Sequence, residues 1–308
     1  MARKLIIDLD PGIGDAVAAV LAMLDPELDV LALTATAGSV RANVATRNLH
    51  GIVAQIDPPK WPRIGSAQRE AGVFHDELAE SLNGPTGLGD LEIVAPEPHH
   101  RHESSKVLID IVRANPHQVT LLTLGPLTNV AAACERAPDF LSLLAGLVCL
   151  GGSVAEGGDI TRAAERNIFL AAEAARIVLA SPEAKTLIPL DATNKAVMTF
   201  ERFNRIAAGH TRAALFLAQL LPFYFRAHHQ FLGMEGIRIR EVMALAAAAR
   251  PNLVHLTPLE VDVELTGELT RGMTVFERRT RSTGKANAAV ALEADTQGIV
   301  DYMTQLLA

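Results

Sequence analysis

Three carboxylates, Asp8, Asp10 and Asp15, fall between an apolar run at Leu5–Leu9 and a helical pattern that begins at Ala16. A buried strand that delivers them to its C-terminal end builds a dense negative site. Such charges repel one another unless a cation, protons or hydrogen-bond donors compensate them. Oxygen ligands gathered at one point favour Ca²⁺ or Mg²⁺ over zinc. Simpler uses compete. An aspartate after a strand often caps the next helix, which suits Asp15, and Asp10-Pro11-Gly12 is a turn signal. Gly12 and Gly14 also make G-x-G after a strand, but the third glycine of a dinucleotide loop is missing and three acids would repel a pyrophosphate.

The elements that must position these residues alternate along the chain. Apolar runs at Leu5–Leu9, Val30–Thr36, Val119–Thr123, Leu147–Leu150 and Thr186–Leu190 predict strands. Helical patterns at Ala16–Leu24, Val44–Gln55, Ser105–Ala114, Leu127–Arg136 and Ala171–Leu179 lie between them. This is βαβ alternation, so the fold class expected is α/β: a mainly parallel open sheet with helices on both faces. Several runs end in polar or flexible residues: Asp8 and Asp10, Gly38-Ser39, Leu124-Gly125, Gly151-Gly152 and Asp191. Ligands of open α/β sheets bind at the carboxyl ends of the strands, so these ends should surround one pocket. Gly65–Gly89 reads as a long active-site loop and Pro96–Glu103 as a solvated linker. His99, His100 and His102 lack a suitably spaced Cys or Asp, so a zinc site is set aside. After Pro251 the pattern turns β-rich, with an accessory hairpin expected from Leu259–Leu265 and Arg271–Glu277, then a closing helix over Thr296–Leu307.

The 308 residues suffice for a sizeable core, and at 49% hydrophobic but 4% aromatic that core is aliphatic. A net charge of −7 excludes a phosphate-backbone reader, which needs a basic face, so no nucleic-acid partner is expected. Cys134 and Cys149 sit in apolar stretches and read as core residues in a reducing, cytoplasmic setting. No signal-peptide pattern opens the chain and no apolar stretch reaches membrane-spanning length, the one around Leu215–Phe225 being broken by Gln219 and Pro222.

Five motifs, in order, resemble the inosine–uridine-type nucleoside hydrolases over nearly the whole length. They are Asp8-Leu-Asp10-Pro-Gly-Ile-Gly-Asp15-Ala, Ala45-Thr-Arg-Asn48, Leu124-Gly-Pro-Leu-Thr-Asn129, Ala163-Ala-Glu165-Arg-Asn167 and Gly267–Val275. The resemblance implies one nucleoside hydrolase-like domain over 1–308 that binds one Ca²⁺ and cleaves the N-glycosidic bond of ribonucleosides. By position, Asp10, Asp15, the Leu124 carbonyl and Glu241 would hold the metal, with Asp8 supporting. Glu165 and Asn167 fall where the family grips ribose hydroxyls. The chemistry is coherent: a Ca²⁺-held water loses a proton to a nearby carboxylate such as Asp10 and attacks the anomeric carbon through an oxocarbenium-like state. Direct attack inverts the centre. The partner expected is a small-molecule riboside, and the assembly a homo-oligomer, dimer or tetramer.

The departures matter as much. Gly14 stands where the family carries a ribose-binding aspartate, Ser39 where it has asparagine and Asn83 where it has histidine. Asp159 replaces an asparagine, Arg166 a phenylalanine, and Arg240-Glu241 a His-Asp pair. Arginine cannot act as an acid at neutral pH, because its pKa lies above about 12. Arg240 would instead act by holding a developing or permanent anion. His228, in the helically spaced segment Phe223–Phe231, is the remaining candidate to meet the leaving group. Restoring Gly14→Asp is expected to raise activity on common nucleosides. Two alternatives stand beside the leading reading: the same fold acting on a non-standard or anionic riboside, and a non-catalytic relative that keeps metal and ligand binding.

Overall fold

The computed structural model describes residues 2–68, 76–95, 101–207, 209–279 and 285–307. Its strands are β1 (Arg3–Leu9), β2 (Leu28–Ala35), β3 (Arg63–Gly65), β4 (Val119–Thr123), β5 (Gly146–Leu150), β6 (Lys185–Ile188), β7 (Val197–Thr199), β8 (Gly236–Arg238), β9 (Val254–Leu259), β10 (Val261–Val263), β11 (Thr274–Phe276) and β12 (Ala288–Ala294). Its helices are α1 (Ile13–Leu24), α2 (Ala42–Ile56), α3 (Glu77–Asn83), α4 (Ser104–Ala114), α5 (Thr128–Arg136), α6 (Arg166–Leu170), α7 (Ala172–Leu179), α8 (Leu190–Thr193), α9 (Phe200–Ala207), α10 (Arg212–Leu232), α11 (Arg240–Ala249) and α12 (Thr296–Leu307).

Eight strands form one sheet in the order β3-β2-β1-β4-β5-β6-β12-β9. Every neighbouring pair is parallel except β12 with β9. Strands buried on both faces need apolar side chains in both directions. In β1, Leu5, Ile7 and Leu9 pack with Ile13, Leu49, Leu217 and Met243 from the helices on one face. Ile6 points the other way, among Val107, Val130 and Val178. The chain runs outward from β1 through β2 to β3, then returns to lay β4 against the other side of β1. That reversal leaves a crevice at the carboxyl ends of β1 and β4, where α/β sheets take their ligands.

The parallel sheet and the two helical layers agree with the expectation from the sequence. Its later part differs. Leu259 ends β9 in the main sheet, and the accessory hairpin is the shorter pair β10 and β11, antiparallel from Val261 opposite Phe276. Strand β12 was not foreseen, because the run Ala288–Ala294 is rich in helix formers; pairing to both β6 and β9 overrides propensity there. The stretch read as one loop from Gly65 contains α3, and Pro222 lies inside α10 rather than ending it. Residues 96–100, including His99 and His100, lie outside the described residues, as do 69–75. The end of the supposed linker is not solvated coil: Glu103 bridges to Ser66 and pairs with Arg136. The two cysteines form no disulfide, and no described helix is long and apolar enough to cross a membrane.

Candidate active site

Asp10 leaves β1 between two glycines. A Cβ on Gly38 would stand 2.2 Å from its Oδ2, and one on Gly125 would stand 2.6 Å from its Oδ1. The glycines at the ends of β2 and β4 therefore make the slot in which the carboxylate lies. Ser39 grips it, donating to Oδ2 from its backbone N–H at 2.6 Å and its hydroxyl at 3.0 Å. Asp8 is fully buried one residue pair earlier; its Oδ1 accepts from Thr34 Oγ1 at 2.6 Å and Asn129 Nδ2 at 2.8 Å. Burial nonetheless raises its carboxyl to about 7. Asn129, the last residue of the G-P-L-T-N turn, also donates to Ala35 and so binds three strand ends together.

Asp15 sits in the first turn of α1. Its Oδ2 lies 3.4 Å from the Gly12 N–H, a long capping bond, so the capping role weighed from the sequence is real. Its Oδ1 is buried with no hydrogen-bond partner, as is Oδ2 of Asp8. Burial, then repulsion from Asp10 and Glu241, raises the Asp15 carboxyl well above the usual range. Burial also raises Asp10 and Glu241, against the pull of Arg166 on each. The Glu241 carboxylate, from the first turn of α11, lies directly over Gly14: a Cβ there would meet Oε2 at 2.2 Å and Cδ at 2.4 Å. Positions 14 and 241 are thus coupled in space, since the Glu241 carboxylate lies where a side chain on residue 14 would start.

These observations decide what the site can hold. The donors are all oxygens, and the buried orphan oxygen of Asp15 fits either a proton or a hard cation. The fit is chemical rather than a finished cage: among the described residues, no three His, Cys, Asp or Glu side chains converge at metal-ligand distance. Part of the compensation comes from within the chain. Arg166 opens α6, donates from Nη1 to Ser39 Oγ at 2.9 Å and pairs through Nε with Asp76 at 2.7 Å. Asp76 in turn caps α3, accepting from Ala79 N–H at 3.0 Å.

A cavity of ≈ 60 Å³ over the strand ends is lined by Asp10, Asp15, Ser39, Leu124, Asp159, Glu165, Arg166, Asn167, Arg240 and Glu241. Ten residues singled out in the sequence thus meet in one place, and Asn83 and His228 line the adjoining chamber. Several are already occupied. Glu165 accepts from the N–H groups of Gly152, Asn167 and Ile168 at 3.0–3.1 Å, and burial raises it to about 7. The Asn167 amide donates to the carbonyls of Leu124, at 2.7 Å, and Leu150. Asn83 accepts from Ile13 N–H at 2.8 Å and so caps α1. Asp159 accepts from Arg166 N–H and pairs with Arg240 at 2.5 Å, while Arg240 also donates to Asn194 at 2.9 Å. Asp191 accepts from Val154 and Ala155 N–H and so holds the turn after β5. Thr274 of β11 clasps Ser153 with two 2.9 Å bonds, which explains why the late hairpin motif belongs to the site's frame.

In the adjoining chamber, of ≈ 120 Å³, α10 supplies Tyr224 and His228 and β8 supplies Arg238. The Tyr224 carbonyl accepts from His228 Nδ1 at 3.0 Å, and burial lowers the imidazole to about 4. His228 is therefore a neutral ring at physiological pH, not a ready acid. Sequence reasoning reached Asp76 only within the Gly65–Gly89 loop and Tyr224 only within the Phe223–Phe231 segment, and it did not reach Asn194 or Arg238. No motif marks them; α3 brings in Asp76, the end of α8 brings in Asn194, and α10 and β8 bring in Tyr224 and Arg238.

A family model described as inosine-uridine preferring nucleoside hydrolase matches residues 5–301. The pyrimidine-specific ribonucleoside hydrolase RihA of Salmonella gallinarum (strain 287/91 / NCTC 13346) is 32% identical over 311 residues, covering 100% of this chain and 99% of that protein. RihA of Citrobacter koseri is 32% identical over 313 residues, with the same coverage. Among solved structures, the plant nucleoside hydrolase PpNRh1 superposes with a TM-score of 0.90 at 27% identity, covering 100% of this chain and 99% of its own. The purine-preferring ribonucleoside hydrolase from Gardnerella vaginalis superposes with a TM-score of 0.91 at 27% identity, covering 99% and 98%.

Proposed function

The chain belongs to the inosine-uridine preferring nucleoside hydrolase family and is an N-glycosyl hydrolase; from that premise we propose that it hydrolyses pyrimidine ribonucleosides with Ca²⁺ at the strand ends. The single observation that carries the metal is the buried, unpartnered Asp15 Oδ1 beside Asp10 and Glu241. Asp10, Asp15, Glu241 and the Leu124 carbonyl are the residues to hold the ion, with Asp8 behind them. The bound ion would supply positive charge that orients a water and lowers its pKa. The pyrimidine preference rests on the RihA relatives, whose names carry it.

The chain's own residues do the rest. Ser39 fixes Asp10 through Oδ2, which leaves Oδ1 to take the proton of the attacking water. The C1′–N bond breaks as the new C1′–O bond forms, and the base departs with the electron pair. Attack from the face opposite the base inverts the anomeric carbon. Glu165, Asn167 and Ser39 line the space for the sugar. Neither residue expected to meet the leaving group donates a proton readily at neutral pH, since His228 is neutral and Arg240 is held cationic by Asp159. A p-nitrophenyl riboside, whose leaving group needs little acid help, should therefore be cleaved faster than any natural neutral riboside. We infer further a cytoplasmic homo-oligomer. The test is a panel of uridine, cytidine, inosine and p-nitrophenyl riboside, with calorimetric titration of Ca²⁺ and Mg²⁺. Cleavage of the pyrimidine ribosides together with Ca²⁺ binding is expected. Absence of turnover on all four would overturn the reading.

A further inference from the structure

Three arginines line the chamber beside the carboxylate cavity, and two of them are spent. Arg166 has Asp76, and Arg240 has Asp159. Arg238 has neither: its guanidinium makes no hydrogen bond and no ion pair among the described residues, and its Nε is buried without a partner. Asp159 and Glu156 act on it only through space, and burial followed by the nearby Arg240 charge lowers its pKa. The Nε of Arg240 is a second buried orphan donor. Unsatisfied buried donors are costly, and charged ones more so, so two of them on one wall mark a missing acceptor.

Position says what that acceptor belongs to. Asp15, Arg166, Arg240 and Glu241 face both cavities, whereas Arg238, Tyr224, His228 and Leu232 line the outer chamber and not the inner one, Arg238 and Tyr224 also bordering a small apolar cavity with Met198 and Leu221. Leu78 and Leu82 of α3 also line the outer chamber. The outer chamber also carries Asp15, Asp76, Asp159 and Glu241, but Leu78, Leu82, Tyr224 and Leu232 give it apolar and aromatic surface for a flat ring, while the inner cavity, with Asp10 and Glu165, suits a polyol and a cation. The planar fork of an arginine matches a planar anion with two oxygens. Given the ribonucleoside hydrolase reading above, on which this inference rests, we propose that Arg238, backed by Arg240, forms a carboxylate subsite for the base half of the substrate. The preferred substrates are then ribosides whose heterocycle carries a ring carboxylate.

The experiment uses the full chain with Ca²⁺ and compares uridine, 5-carboxyuridine, 6-carboxyuridine and uridine 5′-phosphate. At least one carboxyuridine should exceed uridine in kcat/KM by about 10- to 100-fold, the range of a charge-assisted hydrogen bond. Arg238→Gln should collapse that ratio towards one, and Arg238→Lys, which keeps the charge but not the fork, should restore part of it. Thermal melts confirm that both variants fold. Calorimetry of uracil against its 5- and 6-carboxylates reads the subsite without turnover, and Arg238-dependent binding of a carboxylate is expected. If no riboside is cleaved, the hydrolase reading falls while carboxylate binding still decides the subsite. Uridine cleaved as well as both carboxyuridines, or a ratio indifferent to Arg238, overturns the proposal. An Arg238-dependent preference for the 5′-phosphate overturns its placement on the base.

Discussion

The floor of the site and its wall have been built by different rules. The floor consists of strand ends: Asp8, Asp10, Gly38, Gly125 and Asn129 are locked by short bonds and by glycine slots that admit no Cβ. The wall consists of helix starts and loops. There Arg166, Asp159, Arg240 and Glu241 stand where the family resemblance leads one to expect other residues, and Asp159 holds both arginines. Chemistry that must be exact sits where the sheet fixes the backbone, and specificity sits where side chains can be exchanged in coupled sets. Position 14 shows the coupling. Restoring an aspartate there looked from the sequence like a gain, but the Glu241 carboxylate already fills the space it needs.

Breaking the floor should cost most. Asp10→Asn keeps shape and removes the base, so kcat should fall by about 10² to 10⁴-fold on any substrate while the thermal midpoint stays within a few degrees; steady-state kinetics and a melt check both. Breaking the wall should cost stability as well as rate. Arg240→Ala leaves Asp159 without its strongest partner, and urea unfolding should show a loss of about 1–3 kcal/mol. A double substitution with Asp159→Asn should recover part of it.

A finer test separates coupled from independent changes. Gly14→Asp alone should destabilise by about 1–3 kcal/mol, as overpacking does. Combined with Glu241→Asp, which withdraws one methylene, it should recover most of that loss and improve KM for uridine. Purely additive effects would uncouple the two positions.

The smallest effect concerns pH. The His228 pKa is depressed by burial from 6.5 to about 4. The unfolded chain therefore binds the proton first: the contribution of the neutral ring is whole above pH 6.5 and is lost as pH falls towards 4. His228→Gln should flatten the stability profile in that window and leave the profile above it unchanged.

The sequence made the floor legible because strand-end chemistry is local. Apolar runs stop at Asp8, at Gly38-Ser39 and at Leu124-Gly125, and the parallel sheet carries those stops to one crevice. Arg238 was not legible, and Asp76 was legible only as part of the Gly65–Gly89 loop. Each lies in an element that reaches the crevice only through the return of α3, α10 or β8, and no spacing reports that return. Strand β12 escaped for a related reason, since its alanines follow helix propensity until two partner strands claim them. Roles were harder to read than positions: Asn167 and Asn83 are where expected, yet their amides are spent on Leu124 and on the start of α1.

Direct hydrolysis in this site rests on a water that Asp10 deprotonates. Proton NMR of uridine turnover, followed from the first minutes, tests it most directly. The account predicts equimolar uracil and α-ribose before mutarotation, with no phosphate requirement and no product from Asp10→Asn. Initial release of the β-anomer, or turnover by Asp10→Asn at the rate of the natural protein, would contradict it.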